Sequence, residues 1–280
     1  MKIVQSIAEV RGLRRVIPAT QRLGLVPTMG ALHEGHLSLV RTARSQADVV
    51  AATIFVNPTQ FGPNEDFSSY PRNFERDRAL LEKEKVDLLF VPSREEMYPA
   101  EQLAWVTVEG MSDRLCGRSR PGHFRGVTTV VAKLFHILEP DIAFFGQKDA
   151  AQLAIIRRMV RDLNLAIEIV GCPIIREPDG LAMSSRNAYL DPKQRHSALA
   201  LYRALTAVQR LFDDGETASL KLIQAARQVL AEGPGVRIDY IEVADPETLE
   251  SVSEVRTPVL VAVAAFLGTT RLIDNILLGS

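Results

Sequence analysis

The residues with the clearest chemical potential are two histidines three positions apart, His33 and His36. They follow an apolar run at residues 23–27 and precede residues 37–46, whose apolar positions have helical spacing. The first turn of a helix presents free N–H groups and the positive end of its dipole, so it attracts phosphate. Imidazolium N–H groups there would stabilise charge on a phosphoryl oxygen. The pattern predicts a nucleotide phosphate site. The alternatives are two unrelated surface histidines or a zinc-binding pair, although no Cys or His cluster nearby supplies a third zinc ligand.

A second polar group follows the β-rich run at residues 48–56. Asn57 and Gln60 offer directional amide donors and acceptors at this point. The alternative is a polar turn that is merely punctuated by Pro58 and Gly62. Its predicted place beside the histidine pair favours ligand contact.

A third group follows the predicted strand at residues 142–145. Gly146 and Lys148 suit a nucleotide phosphate, with Lys148 acting as a point charge. Asp149 could bind ribose hydroxyls or cap the next helix, and these two roles can coexist.

A fourth group, residues 183–187, lies in a turn region further along the chain. Two hydroxyls, Ser184 and Ser185, and the guanidinium of Arg186 could grip a triphosphate. A surface linker with a helix cap is the alternative. Asp77, on a charged helical stretch, could hold Mg²⁺ through water, although a solvated helix face explains it equally well.

Short apolar strands alternating with helices must position these groups. Strands are predicted at residues 23–27, 48–56, 86–91, 142–145 and 167–170. Helices are predicted at residues 37–46, 72–84, 128–138 and 151–162. This alternation predicts an α/β fold with a Rossmann-like, doubly wound parallel sheet, whose ligands bind beyond the carboxyl ends of the strands.

The pattern changes at the turn signals of residues 176–192. Helices are predicted at residues 194–211 and 219–231, and β-rich runs at 236–243, 258–267 and 270–278. We therefore predict a Rossmann-like domain at residues 1–175 and a smaller C-terminal α+β domain at residues 176–280.

Composition limits the function classes. The chain has 280 residues and a net charge of −1. It therefore has no overall positive charge that would attract nucleic acid or an anionic membrane. It has no signal-peptide pattern and no apolar run of about 18 residues, which predicts a soluble, cytoplasmic protein.

Five segments together resemble the pantothenate synthetase (pantoate–β-alanine ligase) family, within the nucleotidyltransferase superfamily that has a His-x-Gly-His motif. They are residues 27–36, 55–61, 145–149, 176–187 and 268–275, and they occur in the family's order and spacing. The resemblance implies that ATP drives the joining of pantoate to β-alanine through a pantoyl adenylate, giving AMP and pyrophosphate. It also implies Mg²⁺ bound with ATP, a homodimer, and a C-terminal domain that acts as a lid.

The resemblance assigns roles to individual residues. The ATP site would comprise Met29, Gly30, Ala31, Leu32, His33, Glu34, Gly35, His36, Gly146, Gln147, Lys148, Asp149, Ile175, Met183, Ser184, Ser185 and Arg186. The catalytic set would be His36, His33, Lys148, Ser184, Ser185 and Arg186. Pantoate would contact Gln60 and Gln152, to which we add Asn57, and Asp77 would be the Mg²⁺ carboxylate. Independently of the resemblance, residues 61–70 form a candidate flap, because Gly62, Pro63 and Asn64 predict a mobile turn.

Two positions depart from the family's pattern. Ala151 replaces the first of two glutamines that many members carry, and Arg76 replaces an acidic residue before Asp77. The second departure leaves direct Mg²⁺ coordination by this helix open. A nucleotidyltransferase acting on a phosphate ester and a binding module without turnover are the competing hypotheses. Pantoate-dependent release of pyrophosphate would separate them.

Overall fold

The computed structural model describes residues 1–63, 65–99, 101–256 and 258–279. Its larger sheet has six parallel strands in the order β1-β4-β3-β2-β5-β6. They are β1 (Lys2–Val4), β2 (Leu23–Thr28), β3 (Val49–Ile54), β4 (Leu88–Phe90), β5 (Ile142–Gly146) and β6 (Glu168–Cys172). The predicted parallel sheet is confirmed.

Ten helices accompany the strands in the described ranges. The first seven are α1 (Ile7–Val16), α2 (Glu34–Gln46), α3 (Phe74–Lys83), α4 (Arg94–Met97), α5 (Cys116–Ser119), α6 (His123–Leu138) and α7 (Ala150–Asp162). Then come α8 (Pro192–Ser197), α9 (Leu199–Asp213) and α10 (Ser219–Ala231). Short 3₁₀ turns occupy Pro58–Gln60, Gln147–Asp149 and Ser185–Tyr189. None of the described helices is long and apolar enough to cross a membrane.

The larger sheet is covered on both faces, which explains why its strands are continuously apolar. Along β5, Ile142 and Phe144 pack with residues of α2 and α3 in one core. Ala143 and Phe145 point to the other face, into a core that includes residues of α1, α6 and α7. Successive side chains of a strand alternate between faces, so each strand contributes to both cores.

The strand order reverses at β2. This strand pairs with β3 on one side and with β5 on the other, so the chain runs outward from β2 in both directions. In an open α/β sheet the crevice beyond the carboxyl ends of such strands is the usual ligand site. The turns after β2 and β5 both open into it.

A smaller antiparallel sheet comprises β7 (Val236–Ala244), β8 (Val259–Leu267) and β9 (Thr270–Leu278). Its middle strand is apolar on both faces. Val259, Val261 and Val263 join a separate core with α9 and α10, whereas Leu260 and Ala262 pack into the core of the larger sheet. The confirmed α+β unit is therefore attached to the parallel sheet through an apolar sheet face. The domain boundary at residues 175 and 176 stays a prediction.

Several local predictions need correction. Neither β1 nor α1 was predicted. Helix α6 begins at His123 rather than at residue 128, because Gly122 with φ 81° serves as its N-cap. Gly126 therefore lies within the helix, where a Cβ would come 2.3 Å from the carbonyl oxygen of Thr59. The helix predicted at residues 194–211 is divided between α8 and α9.

Candidate active site

A cavity of about 230 Å³ lies beyond the carboxyl ends of β2 and β5. It opens into a wider groove of about 1170 Å³ that reaches the β8–β9 hairpin. The cavity lining includes these predicted site residues: Met29, His33, Gly35, His36, Asn57, Gln60, Gly146, Lys148, Asp149, Gln152, Ile175, Met183, Ser184, Ser185 and Arg186. The lining does not include five residues predicted to contact ATP: Gly30, Ala31, Leu32, Glu34 and Gln147.

The histidine turn, residues 29–36, begins α2. His33 is the N-cap, and its Nδ1 accepts a hydrogen bond from the N–H of Gly35 at 3.1 Å. The Nδ1 of His36 accepts from the N–H of His33 at 3.3 Å. Since Nδ1 is an acceptor in both rings, each neutral imidazole carries its proton on Nε2. The turn thus offers two N–H donors to a ligand in the cavity, and the ring centroids are 4.1 Å apart.

The histidine side chains are neutral in the free chain. Burial lowers the pKa of His33 to about 4, and the nearby Lys148 ammonium adds to this. Burial and the neighbouring His33 lower the pKa of His36 to about 3. The expected imidazolium donors are therefore replaced by neutral imidazoles, whose N–H groups can still bind an anion.

The backbone of the histidine turn is held by α3. The two carboxylate oxygens of Asp77 accept from the N–H groups of Ala31 at 2.7 Å and Leu32 at 2.9 Å. Arg76 donates to the carbonyl of Leu32 at 2.8 Å. Gly30 has φ 80°, and a Cβ there would lie 3.1 Å from the Asp77 carboxylate. These contacts fix a left-handed backbone that is close to a buried charge.

The position of Asp77 favours a structural role over the predicted metal role. Its side chain is 1% exposed, and both oxygens are engaged by backbone donors. It is not part of the cavity lining. In this structure the Asp77 carboxylate shapes the turn, and the metal role stays a prediction. Gly30, Ala31 and Leu32 likewise form the buried frame of the turn, and Glu34 pairs with Arg41 outside the cavity.

Lys148 enters the cavity from the turn after β5. Its Nζ lies 3.4 Å from Asp149 Oδ2. Burial works against ionisation of Asp149, but the nearby Lys148 and Arg186 together help to hold the pKa of this carboxyl below its usual value. Gln147 faces away from the cavity, and its side-chain amide lies 3.4 Å from Asn275.

The serine–arginine loop, residues 183–187, forms the opposite wall. Ser185 Oγ donates to the carbonyl of Ala31 at 3.0 Å, which ties this loop to the histidine turn. Arg186 makes two parallel hydrogen bonds to Asp66, at 2.9 and 2.8 Å. Asp66 lies in the candidate flap, of which Asn64 is outside the described residues. The flap role stays a prediction.

Asn57 and Gln60 have different roles in the structure. Asn57 is 1% exposed, its Nδ2 donates to Gln60 Oε1 at 3.1 Å, and its Oδ1 accepts from Tyr98 OH at 2.9 Å. With these partners, Asn57 orients Gln60 in this structure, and its direct contact with pantoate stays a prediction. Gln60 and Gln152 both line the cavity, beside the apolar side chains of α6.

Arg120 and His123 also contact the cavity, and neither belongs to the predicted set of site residues. His123 Nδ1 donates to the carbonyl of Gln60 at 2.8 Å, and Arg120 lies 3.0 Å from His123 Nε2. Arg120 also forms a bidentate pair with Glu65. Burial and Arg120 lower the pKa of His123 to about 4, which keeps it neutral. These residues brace the backbone that presents Gln60, and only their three-dimensional proximity reveals it.

The chain is similar to proteins of known activity over its whole length. The family described as pantoate-beta-alanine ligase matches residues 2–277. The pantothenate synthetase of Koribacter versatilis is 59% identical, with 99% of this chain and 96% of that protein covered. The pantothenate synthetase of Thermotoga neapolitana is 56% identical, with both chains fully covered.

Solved structures agree with this similarity. The pantothenate synthetase of Thermus thermophilus superposes with a TM-score of 0.94 at 47% identity, covering 99% of each chain. A pantoate-beta-alanine ligase from Francisella tularensis, complexed with beta-gamma ATP and beta-alanine, gives a TM-score of 0.82 at 35% identity. It covers 99% of this chain and 97% of that one.

Proposed function

Since this chain belongs to the pantoate-beta-alanine ligase family and ligates pantoate to β-alanine, we propose that it activates pantoate as an acyl adenylate. A carboxylate is a poor electrophile because amine attack would have to expel oxide. Attack of the pantoate carboxylate on the α-phosphorus of ATP releases pyrophosphate and leaves AMP as a good leaving group. The β-alanine amine then attacks the acyl carbon, releasing AMP and forming the amide.

The observation that carries this proposal is the convergence of anion-binding groups on one cavity at the switch point of the sheet. His33 and His36 supply neutral N–H donors, and Lys148 supplies a point charge. Ser184, Ser185 and Arg186 face them from the opposite wall. These groups would position the triphosphate and stabilise the charge that develops on the departing pyrophosphate. The chemistry requires no covalent nucleophile.

The pantoate end of the cavity combines amides with apolar surface. Gln60 and Gln152 would hydrogen-bond the hydroxyl and carboxylate groups of pantoate. Val127, Val130 and Val131 of α6 line the same cavity and suit the two methyl groups on the pantoate carbon chain. Asn57 would act indirectly, by holding Gln60 in place.

We assign Mg²⁺ to the ATP substrate rather than to a resident protein site. Among the described residues, His, Cys, Asp and Glu nowhere form a group of three or more that could hold a metal. Mg²⁺ is commonly bound through one or two carboxylates together with substrate phosphates. Asp149 is the carboxylate in the cavity that fits this role, whereas Asp77 does not. The homodimer and the cytoplasmic location stay predictions.

ATP–pyrophosphate exchange tests the adenylate directly. We expect labelled pyrophosphate to enter ATP when pantoate is present and β-alanine is absent. Lys148→Ala should lose most of this exchange, whereas Lys193→Ala, at an exposed position on α8, should retain it. Exchange that requires β-alanine would contradict a separate adenylation step.

A further inference from the structure

Asn275, on β9 of the smaller sheet, reaches across to the turn that carries Lys148. Its side chain is 2% exposed. The Nδ2 group donates to the carbonyl of Gln147 at 3.0 Å and to the carbonyl of Lys148 at 2.9 Å. One amide group thus binds two successive backbone carbonyls. The pair of bonds fixes the peptide plane from which the Lys148 side chain projects.

Asn275 is itself held by a buried ion pair. Its N–H donates to Asp274 Oδ1 at 2.8 Å. The Asp274 carboxylate, on a residue that is 3% exposed, binds both terminal nitrogens of Arg176, at 2.6 and 3.0 Å. Arg176 also donates to the carbonyl of Gly180 at 3.0 Å. This arrangement connects the Lys148 turn to the segment that leads into the serine–arginine loop.

We propose that Asn275 is a positioning residue for adenylation, which acts by fixing the direction of Lys148. The inference rests on the role proposed for Lys148 above. A lysine ammonium sits on a flexible four-carbon stem, so its placement depends on how firmly its backbone is held. Displacing a catalytic group by about 1 Å can cost roughly 100-fold in rate. Both hydrogen bonds that the Asn275 amide group donates end on backbone carbonyls, so the effect on Lys148 passes through the backbone of the turn.

The test is a double-mutant cycle measured by pantoate-dependent ATP–pyrophosphate exchange. Asn275→Ala should lower the maximal exchange rate by roughly 10-fold, within the range for small displacements. The KM for pantoate should change by less than about twofold, because the Asn275 amide group donates to the carbonyls of Gln147 and Lys148 and not to Gln60 or Gln152. In the Lys148→Ala background the same substitution should have almost no further effect, since the group it positions is gone.

Val263→Ala controls for a general loss of stability. Val263 pairs in register with Asp274 but packs into the core of the smaller unit. The Val263→Ala substitution should lower the melting temperature without changing the rate of ATP–pyrophosphate exchange per folded molecule. If Asn275→Ala does not fold, Asn275→Ser, which retains one hydroxyl donor, enters the same cycle.

The outcomes separate the two proposals. If Lys148→Ala retains full exchange, the role proposed for Lys148 is wrong. If Lys148→Ala is impaired but the effects of the two substitutions multiply, the positioning role of Asn275 is wrong. Exchange by folded Asn275→Ala equal to that of the unmodified chain would also overturn it.

Discussion

The histidine turn and the serine–arginine loop face each other across one cavity, yet they are fixed by different interactions. The turn is fixed by Asp77, a 1%-exposed carboxylate whose oxygens accept two backbone N–H groups. The loop depends on the pair between Arg186 and Asp66, whose side chains are 29% and 22% exposed. The Asp77 contacts are buried, whereas the Arg186–Asp66 pair is partly exposed to the groove.

This difference indicates how the two sides would receive ATP. The histidine turn is ready to bind before the ligand arrives, so little ordering is needed there. Arg186 already has an anionic partner, and a phosphate offers the same bidentate geometry as a carboxylate. We therefore infer that the triphosphate replaces Asp66 as the partner of Arg186, which would release the candidate flap from the loop.

Removing a hydrogen-bond donor from the histidine turn should have the largest effect on the exchange rate. We expect His36→Ala to lower pantoate-dependent ATP–pyrophosphate exchange by roughly 100-fold or more, the scale of losing one charge-stabilising donor. His136→Ala, an exposed histidine in the last turn of α6, is the matched control. Unchanged exchange in His36→Ala would remove His36 from the catalytic set.

Disturbing the frame of the turn should have the next largest effect. Asp77→Asn places an NH₂ group against a backbone N–H, which should lower exchange by about 10-fold and the free energy of unfolding by about 1–3 kcal/mol. The Mg²⁺ concentration for half-maximal activity should not change. Glu75→Gln, at an exposed position on the same helix, is the control. A large shift in the Mg²⁺ requirement would instead support the metal role first predicted for Asp77.

The pH dependence of the histidine turn tests its neutral state. The folded pKa values of about 4 for His33 and about 3 for His36 lie below the ordinary histidine value of 6.5. As the pH falls below about 6.5, these two histidines bind protons in the unfolded chain but stay neutral in the folded chain. The free energy of unfolding therefore decreases. NMR of labelled histidines should show both rings as Nε2–H tautomers that do not titrate between about pH 7 and 5. Titration near the ordinary histidine pKa would contradict this.

A substitution beside the serine–arginine loop should have a small effect, and it should improve ATP binding rather than impair the reaction. Asp66→Asn removes the partner that competes with ATP for Arg186. Because partly exposed pairs contribute up to about 1 kcal/mol, the KM for ATP should fall by about two- to fivefold. Asp214→Asn, exposed after α9, is the control. A rise in the KM for ATP would show that Asp66 helps Arg186 to bind ATP rather than competing with it.

The sequence predicted those strands and helices whose apolar residues form a clear local pattern. Most strands of both sheets were found because their runs are apolar and bounded by turn residues. Strand β1 was missed because three residues carry too little pattern. The start of α6 was predicted five residues too late, at residue 128, because the close packing of Gly126 against Thr59 is visible only in three dimensions.

The site residues likewise divide into those that a local sequence pattern predicts and those that only the folded structure reveals. Groups that directly follow strands, such as His36 and Lys148, could be proposed from their position alone. The residues that support them could not, because their partners lie far away in sequence. Asp77 is 46 positions from Ala31, and Asn275 is 127 positions from Lys148. Asp77 was consequently assigned to a metal, although its carboxylate is engaged by backbone groups.

Hydrogen–deuterium exchange with and without a non-hydrolysable ATP analogue tests the contrast between the two sides most directly. Amides of the histidine turn, including those of Ala31 and Leu32, should be protected before the analogue is added and should change little afterwards. Amides of residues 65–70 and 183–189 should change their protection on binding, because Arg186 exchanges its partner. Equal changes on both sides, or a change confined to the histidine turn, would contradict the account.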